Sequence, residues 1–130
     1  MAQESHPLLA LLLMIFLMVA KVDGLCMGCM NDHIVVSQLA GGGGVHTVFR
    51  VTVTNRCCCA VRHVVVAAPG FRSAIPIDPR LFRRINSVDG EEYLVGDGEA
   101  VPANGSVTFS YAWRAMFRIS VVGITVSNCL

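Results

Sequence analysis

Asn55-Arg56-Cys57-Cys58-Cys59 holds half of the six cysteines of this 130-residue chain and lies between two runs that read as β-strands. Ahead of it, Val45–Thr54 alternates. Val45, Thr47, Phe49, Val51 and Val53 fall on one face, and His46, Val48, Arg50, Thr52 and Thr54 on the other. That two-residue period belongs to a strand with one buried side. Behind the triplet, Val61–Ala67 is dense in β-branched residues, which suits a strand buried on both faces. Cys26, Cys29 and Cys129 lie far from the triplet on either side. In an oxidising compartment the triplet is where both flanks are stapled to the middle.

The first two dozen residues bear on the compartment. Leu8–Ala20 is an uninterrupted apolar run of 13 residues, short for a bilayer span and of the length of a signal-peptide core. The segment before it carries Glu4 and no Lys or Arg. An uncleaved anchor is the alternative reading. The expectation is a secretory signal over residues 1–24, cleaved after Ala20 or Gly24, and one mature domain over residues 25–130. No second apolar stretch of membrane length follows, so no membrane insertion of the mature chain is expected. The mature protein is expected to be secreted.

From Leu25 onward nine arginines face seven acidic residues, a net charge of +2, and no lysine occurs after Lys21. That balance is too small for a nucleic-acid binder. About 106 residues make one domain with a modest core, the kind usually reinforced by disulfides outside the cell.

Cys26-Met27-Gly28-Cys29 has C-x-x-C spacing. No second C-x-x-C or His pair completes a tetrahedral set, so disulfides are the better reading and no metal or cofactor is expected. His33–Gln38 reads as a first strand. Gly41–Gly44 reads as a hairpin connection, since no Gly-Lys-Ser/Thr follows to make a phosphate loop. Pro69-Gly70 marks a turn. Within Phe71–Ile85, Pro76 and Pro79 forbid a central strand, while Ile75, Ile77, Leu81, Phe82 and Ile85 call for burial. The segment should be an irregular arm over a sheet edge that presents Arg80, Arg83 and Arg84. The acids of the next loop, Asp89, Glu91 and Glu92, are the nearest source of counter-charge in sequence.

Tyr93–Val95 reads as a short strand, and Asn104-Gly105-Ser106 is an N-glycosylation sequon in a surface loop. Val107, Phe109, Tyr111 and Trp113 then form a one-faced aromatic stripe. Such a stripe is either core or, if exposed and coplanar, a sugar-stacking platform. Phe117, Ile119 and Val121 share one face of the last strand, and Val122, Ile124 and Val126 the other. The switch predicts a bulge near Val122-Gly123. Six or seven short strands separated by turns, with no amphipathic helix, predict an all-β antiparallel sandwich.

The residues from Phe71 onward carry a resemblance. Phe71-Arg72-Ser73-Ala74, Ile77-Asp78-Pro79-Arg80-Leu81-Phe82-Arg83-Arg84-Ile85, Tyr93-Leu94-Val95-Gly96-Asp97-Gly98, Phe109-Ser110-Tyr111-Ala112 and Cys129 resemble the tapetum determinant family in order and spacing. Cys29 with Ile34-Val35, and Asn55-Arg56-Cys57, fit as well. These are small secreted cysteine-rich proteins of land plants. The resemblance implies a ligand for the ectodomain of a leucine-rich-repeat receptor kinase, acting in the apoplast during anther development and cell-fate specification. The chain departs from the family in having Ala68 and Tyr93 where the family has cysteines, and a closer spacing of its mid-chain cysteines. Cys26 and Cys58 are additional.

On this reading Cys129 pairs with Cys57 or Cys59, Cys29 takes the other, and Cys26 joins Cys58 by elimination. The receptor contact falls to Arg80, Arg83, Arg84 and Phe82, because guanidinium groups pair bidentately with acidic surfaces. A carbohydrate-binding sandwich of the cell wall, using Tyr111 and Trp113, is the alternative. No enzyme is expected. His33, His46 and His63 have no partner at a catalytic spacing, and the chain is too short for a nucleotide-sugar domain and has no Asp-x-Asp motif.

Overall fold

The computed structural model describes residues 26, 28–42, 44–88 and 90–129. The leader expected over residues 1–24 lies outside them, as does Asp89. Seven strands form two antiparallel sheets, and among the described residues the only helical elements are single 3₁₀ turns at Asn31–His33 and Gly96–Gly98. The strands are β1 Ile34–Gly41, β2 Thr47–Asn55, β3 Val61–Ala67, β4 Phe82–Arg84, β5 Glu92–Val95, β6 Ser106–Trp113 and β7 Ser120–Val126. One sheet has the order β1-β2-β6 and the other β4-β5-β3-β7. The architecture is the predicted antiparallel sandwich, and the glycine-rich segment after β1 is the hairpin connection to β2.

Phe49, Val51 and Val53 of β2 and Phe109 and Tyr111 of β6 face Val61, Val64 and Val66 of β3 and Val95 of β5 across the core. The alternation read in β2 holds from Phe49 onward, but Val45 precedes the strand and is 95% exposed. The run Val61–Ala67 is not buried on both faces. Arg62 and His63 are exposed, and Val65 and Ala67 only partly covered. Its density of valines has another cause. Arg62 pairs with Thr125 and Val65 with Gly123, so three steps along β3 match two along β7. His63, at φ 50°, absorbs the extra residue. The bulge resets the alternation, letting Val61 and Val64 both point inward. A second bulge lies opposite: Val65 meets Gly123 and Val66 meets Val121, leaving Val122 unmatched. This is the bulge predicted near Val122-Gly123, and it brings Val121 and Ile124 together onto the core.

Between β2 and β3 the chain turns through the cysteine triplet. Asn55 at the end of β2 is 1% exposed and is the one buried polar side chain among the described residues. Its Nδ2 donates to the carbonyls of Cys59 at 2.8 Å, Val101 at 3.0 Å and Pro102 at 3.3 Å. Its Oδ1 accepts from the backbone N–H of Cys57 at 2.9 Å. The disulfides are Cys26–Cys58, Cys29–Cys57 and Cys59–Cys129, which resolves the open choice between Cys57 and Cys59 as partners of Cys129.

Two expectations follow. Removing the Asn55 side chain strands the Cys57 N–H and the Cys59 carbonyl, while the carbonyls of Val101 and Pro102 keep the N–H groups of Val61 and Gly105. Each unmet group costs about 1–3 kcal/mol. Asn55→Ala should therefore lose about 2 kcal/mol or more in denaturant unfolding. Asn55→Asp should lose at least as much, because it turns a carboxylate oxygen toward three carbonyls. A cost below about 1 kcal/mol for either variant contradicts this role. The disulfides should not be equal. Cys59–Cys129 spans 70 residues, and closing such a loop is worth about 4 kcal/mol. Cys26–Cys58 lies just outside Cys29–Cys57, so with the inner bridge intact it closes only a few residues and is worth about 2 kcal/mol. Paired Cys→Ser variants measured by denaturant unfolding should show that order, and the reverse order refutes the nested arrangement.

Candidate functional site

The segment between β3 and β4 is the predicted irregular arm. Its first anchor is Phe71, whose ring lies 5.0 Å from both Phe82 and Tyr111, 5.4 Å from Tyr93 and 5.3 Å from Phe117. One ring thus touches β4 and β5 of one sheet, β6 of the other and the approach to β7. Its second anchor is polar. Ala74 donates its N–H to the carbonyl of Ala112 at 2.7 Å, and the N–H of Ala112 donates to Ser73 Oγ at 3.2 Å. The arm begins to pair with the outer edge of β6 and then departs through Pro76. Contrary to the sequence reading, Ile75 is 38% exposed, because it sits on this crossing and not beneath it.

A tight turn follows at Asp78-Pro79-Arg80-Leu81. Asp78 Oδ1 accepts from the backbone N–H of Arg80 at 2.9 Å, and Leu81 N–H bonds back to the Asp78 carbonyl at 2.9 Å. An Asp followed by Pro sets this geometry, the side chain imitating a backbone acceptor while the ring fixes φ. The same carboxylate takes the guanidinium of Arg80 at 2.9 Å. Those bonds hold the Asp78 carboxyl below its ordinary range and raise the Arg80 guanidinium above its own. Arg83 on β4 is paired with Asp97. Asp97 reaches it from the turn Gly96-Asp97-Gly98, where all three residues have positive φ. A Cβ on Gly96 would stand 3.0 Å from Val107 Cγ2, and φ 61° there already favours glycine, so a larger residue would be strained and would push on Val107.

The four residues assigned to the contact therefore separate. Arg80, Arg83 and Arg84 are exposed on the arm and β4. Phe82 is a correction: it is 4% exposed and stacks on Tyr93 at 4.5 Å and Phe109 at 4.3 Å, because inward alternation on β4 puts it under the arginines. Sequence proximity placed the counter-charges at Asp89, Glu91 and Glu92. Asp89 lies outside the described residues, and among those described the ion pairs are Arg80–Asp78 and Arg83–Asp97, with none from Glu91 or Glu92. The Asp78-Pro79 turn was legible as a motif. The Asp97 pair depends on β4 lying beside β5, which local sequence does not state.

The sugar platform is also corrected. Tyr111 is fully buried, with its hydroxyl donating to Gln38 Oε1 and accepting from Phe117 N–H. Trp113 stacks on His46 and does not stand clear. His33 Nδ1 accepts the Met30 N–H, and His63 occupies the β3 bulge. Cys26, Cys57, Cys58 and Cys59 cluster closely enough to suggest a metal, but every one of those sulfurs is consumed in a disulfide, and a ligand would have to be a thiolate. Asn104 is exposed in a turn with φ 65°. Ala68 and Tyr93 line one shallow hollow of about 440 Å³ with Phe71, Arg84 and Glu91.

Residues 30–129 match the family model described as Tapetum determinant 1, C-terminal. The chain is 30% identical over 123 residues to the TPD1 protein homolog 1A of Oryza sativa subsp. japonica, an alignment covering 85% of this chain and 50% of the relative. It is 29% identical over 102 residues to the TPD1 protein homolog 1 of Arabidopsis thaliana, covering 75% of this chain and 55% of the relative. The chain thus spans about half the length of these curated relatives. No solved structure matches it.

The Asp78 turn makes a titration testable. A carboxyl with a lowered pKa stays ionised as pH falls and gives up its contribution only below the ordinary carboxylate range. NMR titration of Asp78 should find its midpoint below that of a free aspartate, and Arg80→Ala should move it upward. An unmoved midpoint in Arg80→Ala would show that the guanidinium does not hold the carboxylate.

Proposed function

This chain belongs to the tapetum determinant family, and from that premise we propose that it is a secreted, non-catalytic signalling ligand which binds the ectodomain of a leucine-rich-repeat receptor kinase. Its setting is the plant apoplast, in reproductive cell-fate specification of the kind tied to anther development. The observation that carries the contact is the fixed arm, with arginines standing outward over a buried aromatic base. Phe82 and Phe71 hold the backbone from below, so presenting Arg80 and Arg84 costs little further ordering on binding. Arg80 is the most exposed of the paired arginines, its side chain 80% accessible. Arg84 has no ion pair among the described residues. Arg83 is already committed to Asp97, and its replacement would disturb the Gly96–Gly98 turn as well as any partner.

The reading extends to processing. Three disulfides in a domain of about 100 residues are the pattern of an oxidising compartment, and the exposed Asn104 turn leaves room for a glycan. The apolar N-terminal run serves as the secretory leader.

The test uses the mature protein against a panel of leucine-rich-repeat ectodomains. One ectodomain should bind it, and the double variant Arg80→Glu, Arg84→Glu should bind at least about tenfold more weakly, or about 1.4 kcal/mol. Secretion should be unchanged and thermal stability only slightly lowered, through loss of the exposed Arg80–Asp78 pair. Equal affinity for variant and parent removes the arm from the contact, and binding to no ectodomain of the panel removes the receptor reading.

A further inference from the structure

Backbone pairing on β6 is incomplete in a specific place. Asn55 donates to Gly105 and accepts from Asn104, so the odd-numbered residues of β2 turn their N–H and C=O toward β6. In the antiparallel register Val53 meets Val107, Val51 meets Phe109 and Phe49 meets Tyr111. The odd residues of β6 are therefore satisfied by β2, and the even residues point to the outer edge. Ala112 confirms the alternation, since both its N–H and its C=O are taken by the arm. The next outward residues are Ser110, Thr108 and Ser106. Among the described residues none of their backbone groups has a partner on that side.

The reason is visible in the arm. It starts as a fourth strand at Ser73-Ala74 and leaves at Pro76, which has no N–H to continue the ladder. The vacated space is a groove of about 480 Å³. Ser106 and Thr108 of β6 line it together with Asp78, Arg80, Asp97 and Glu99. Arg80 is neutralised by Asp78 and Asp97 by Arg83, while Glu99 has no ion pair among the described residues. The groove thus brings unpaired backbone donors and acceptors and one uncompensated carboxylate to the same space.

We propose that this groove is a docking slot for an extended peptide segment bearing a lysine or arginine, which adds to β6 as the fourth strand of its sheet. Main-chain bonds to Ser106, Thr108 and Ser110 give the affinity, and the basic side chain reaching Glu99 gives the preference. A second copy of this chain fits less well. Its own edge is flanked by the same wall, so edge-to-edge pairing would bring two uncompensated Glu99 carboxylates to one interface. The slot does not rest on the receptor reading, and the two can fail separately.

The experiment uses the oxidised mature protein and a displayed library of random decapeptides. In the free protein, backbone amides of Thr108 and Ser110 should exchange with solvent at least about a hundredfold faster than those of Phe109 and Tyr111. Selected peptides should share alternating β-branched residues and a Lys or Arg, and their addition should slow exchange at Thr108 and Ser110. Thr108→Pro removes an outward N–H that no native bond uses, so it should leave the fold intact and weaken the peptide at least about tenfold. Glu99→Lys should weaken it several-fold. The proposal is overturned if the two amides are already protected in the free protein, or if the protection appears with protein concentration alone, which marks a second copy. It is equally overturned if no peptide is selected, if the selected peptides carry no basic residue, or if Thr108→Pro binds them as the parent does.

Discussion

The fold depends on how one asparagine side chain is satisfied. A β2-to-β3 connection that carries three consecutive cysteines has to cross the end of the sandwich, where backbone groups leave the ladder and lose their partners. Cys57 and Cys59 are buried there, which shields their backbone groups from water. Asn55 supplies the missing bonds from one side chain, accepting from Cys57 and donating to Cys59, Val101 and Pro102. An amide is the only neutral side-chain group that donates twice and accepts at once in this geometry. The same residue's backbone binds Asn104 and Gly105, so the approach to β6 is fixed by it too. The disulfides then lock a geometry that hydrogen bonds have already specified.

Much of this architecture was legible because local pattern and tertiary role agree. The alternation of β2 and β6, the hairpin glycines, the Pro69-Gly70 turn and the Val122 bulge all follow from period and turn chemistry. What was not legible involves pairs of elements. Val61–Ala67 has the composition of a doubly buried strand, yet its valines serve one face because His63 resets the alternation against β7. Nothing within seven residues announces that. Ile75 was expected inside for its size and lies on a crossing segment. Phe82 was expected inside for its size and is buried; only its grouping with the neighbouring arginines as a contact fails, because a strand sends neighbours to opposite faces.

The candidate site shows the same division. The three exposed arginines could be found from the sequence, and so could the rigid Asp78-Pro79 turn. The partner of Arg83 could not, because Asp97 arrives through the β4–β5 register and a turn of three positive-φ residues. The open edge of β6 was still less accessible. It depends on which parity of residues faces β2 and on where the arm stops pairing, and both are properties of three-dimensional register. Composition could mark Ser106, Thr108 and Ser110 only as the polar face of a strand.

The staples are unevenly distributed, and this bears on how the arm behaves. All three disulfides converge on the triplet at one end of the sandwich. At the other end, Ala68, just past β3, and Tyr93 of β5 line the same hollow and carry no disulfide. A bridge over that separation would be worth about 3 kcal/mol or more. In its place Tyr93 stacks on Phe82 and meets Phe71 edge-on, contacts worth about 0.5–1.5 kcal/mol each. The Cys26–Cys58 bridge lies beside Cys29–Cys57 and does not constrain that far end. The arm is consequently held at its base by aromatic packing, a reversible clamp centred on Phe71, while the cysteine end is covalently fixed. A domain built this way is covalently fixed at its cysteine end and held at the arm by packing alone.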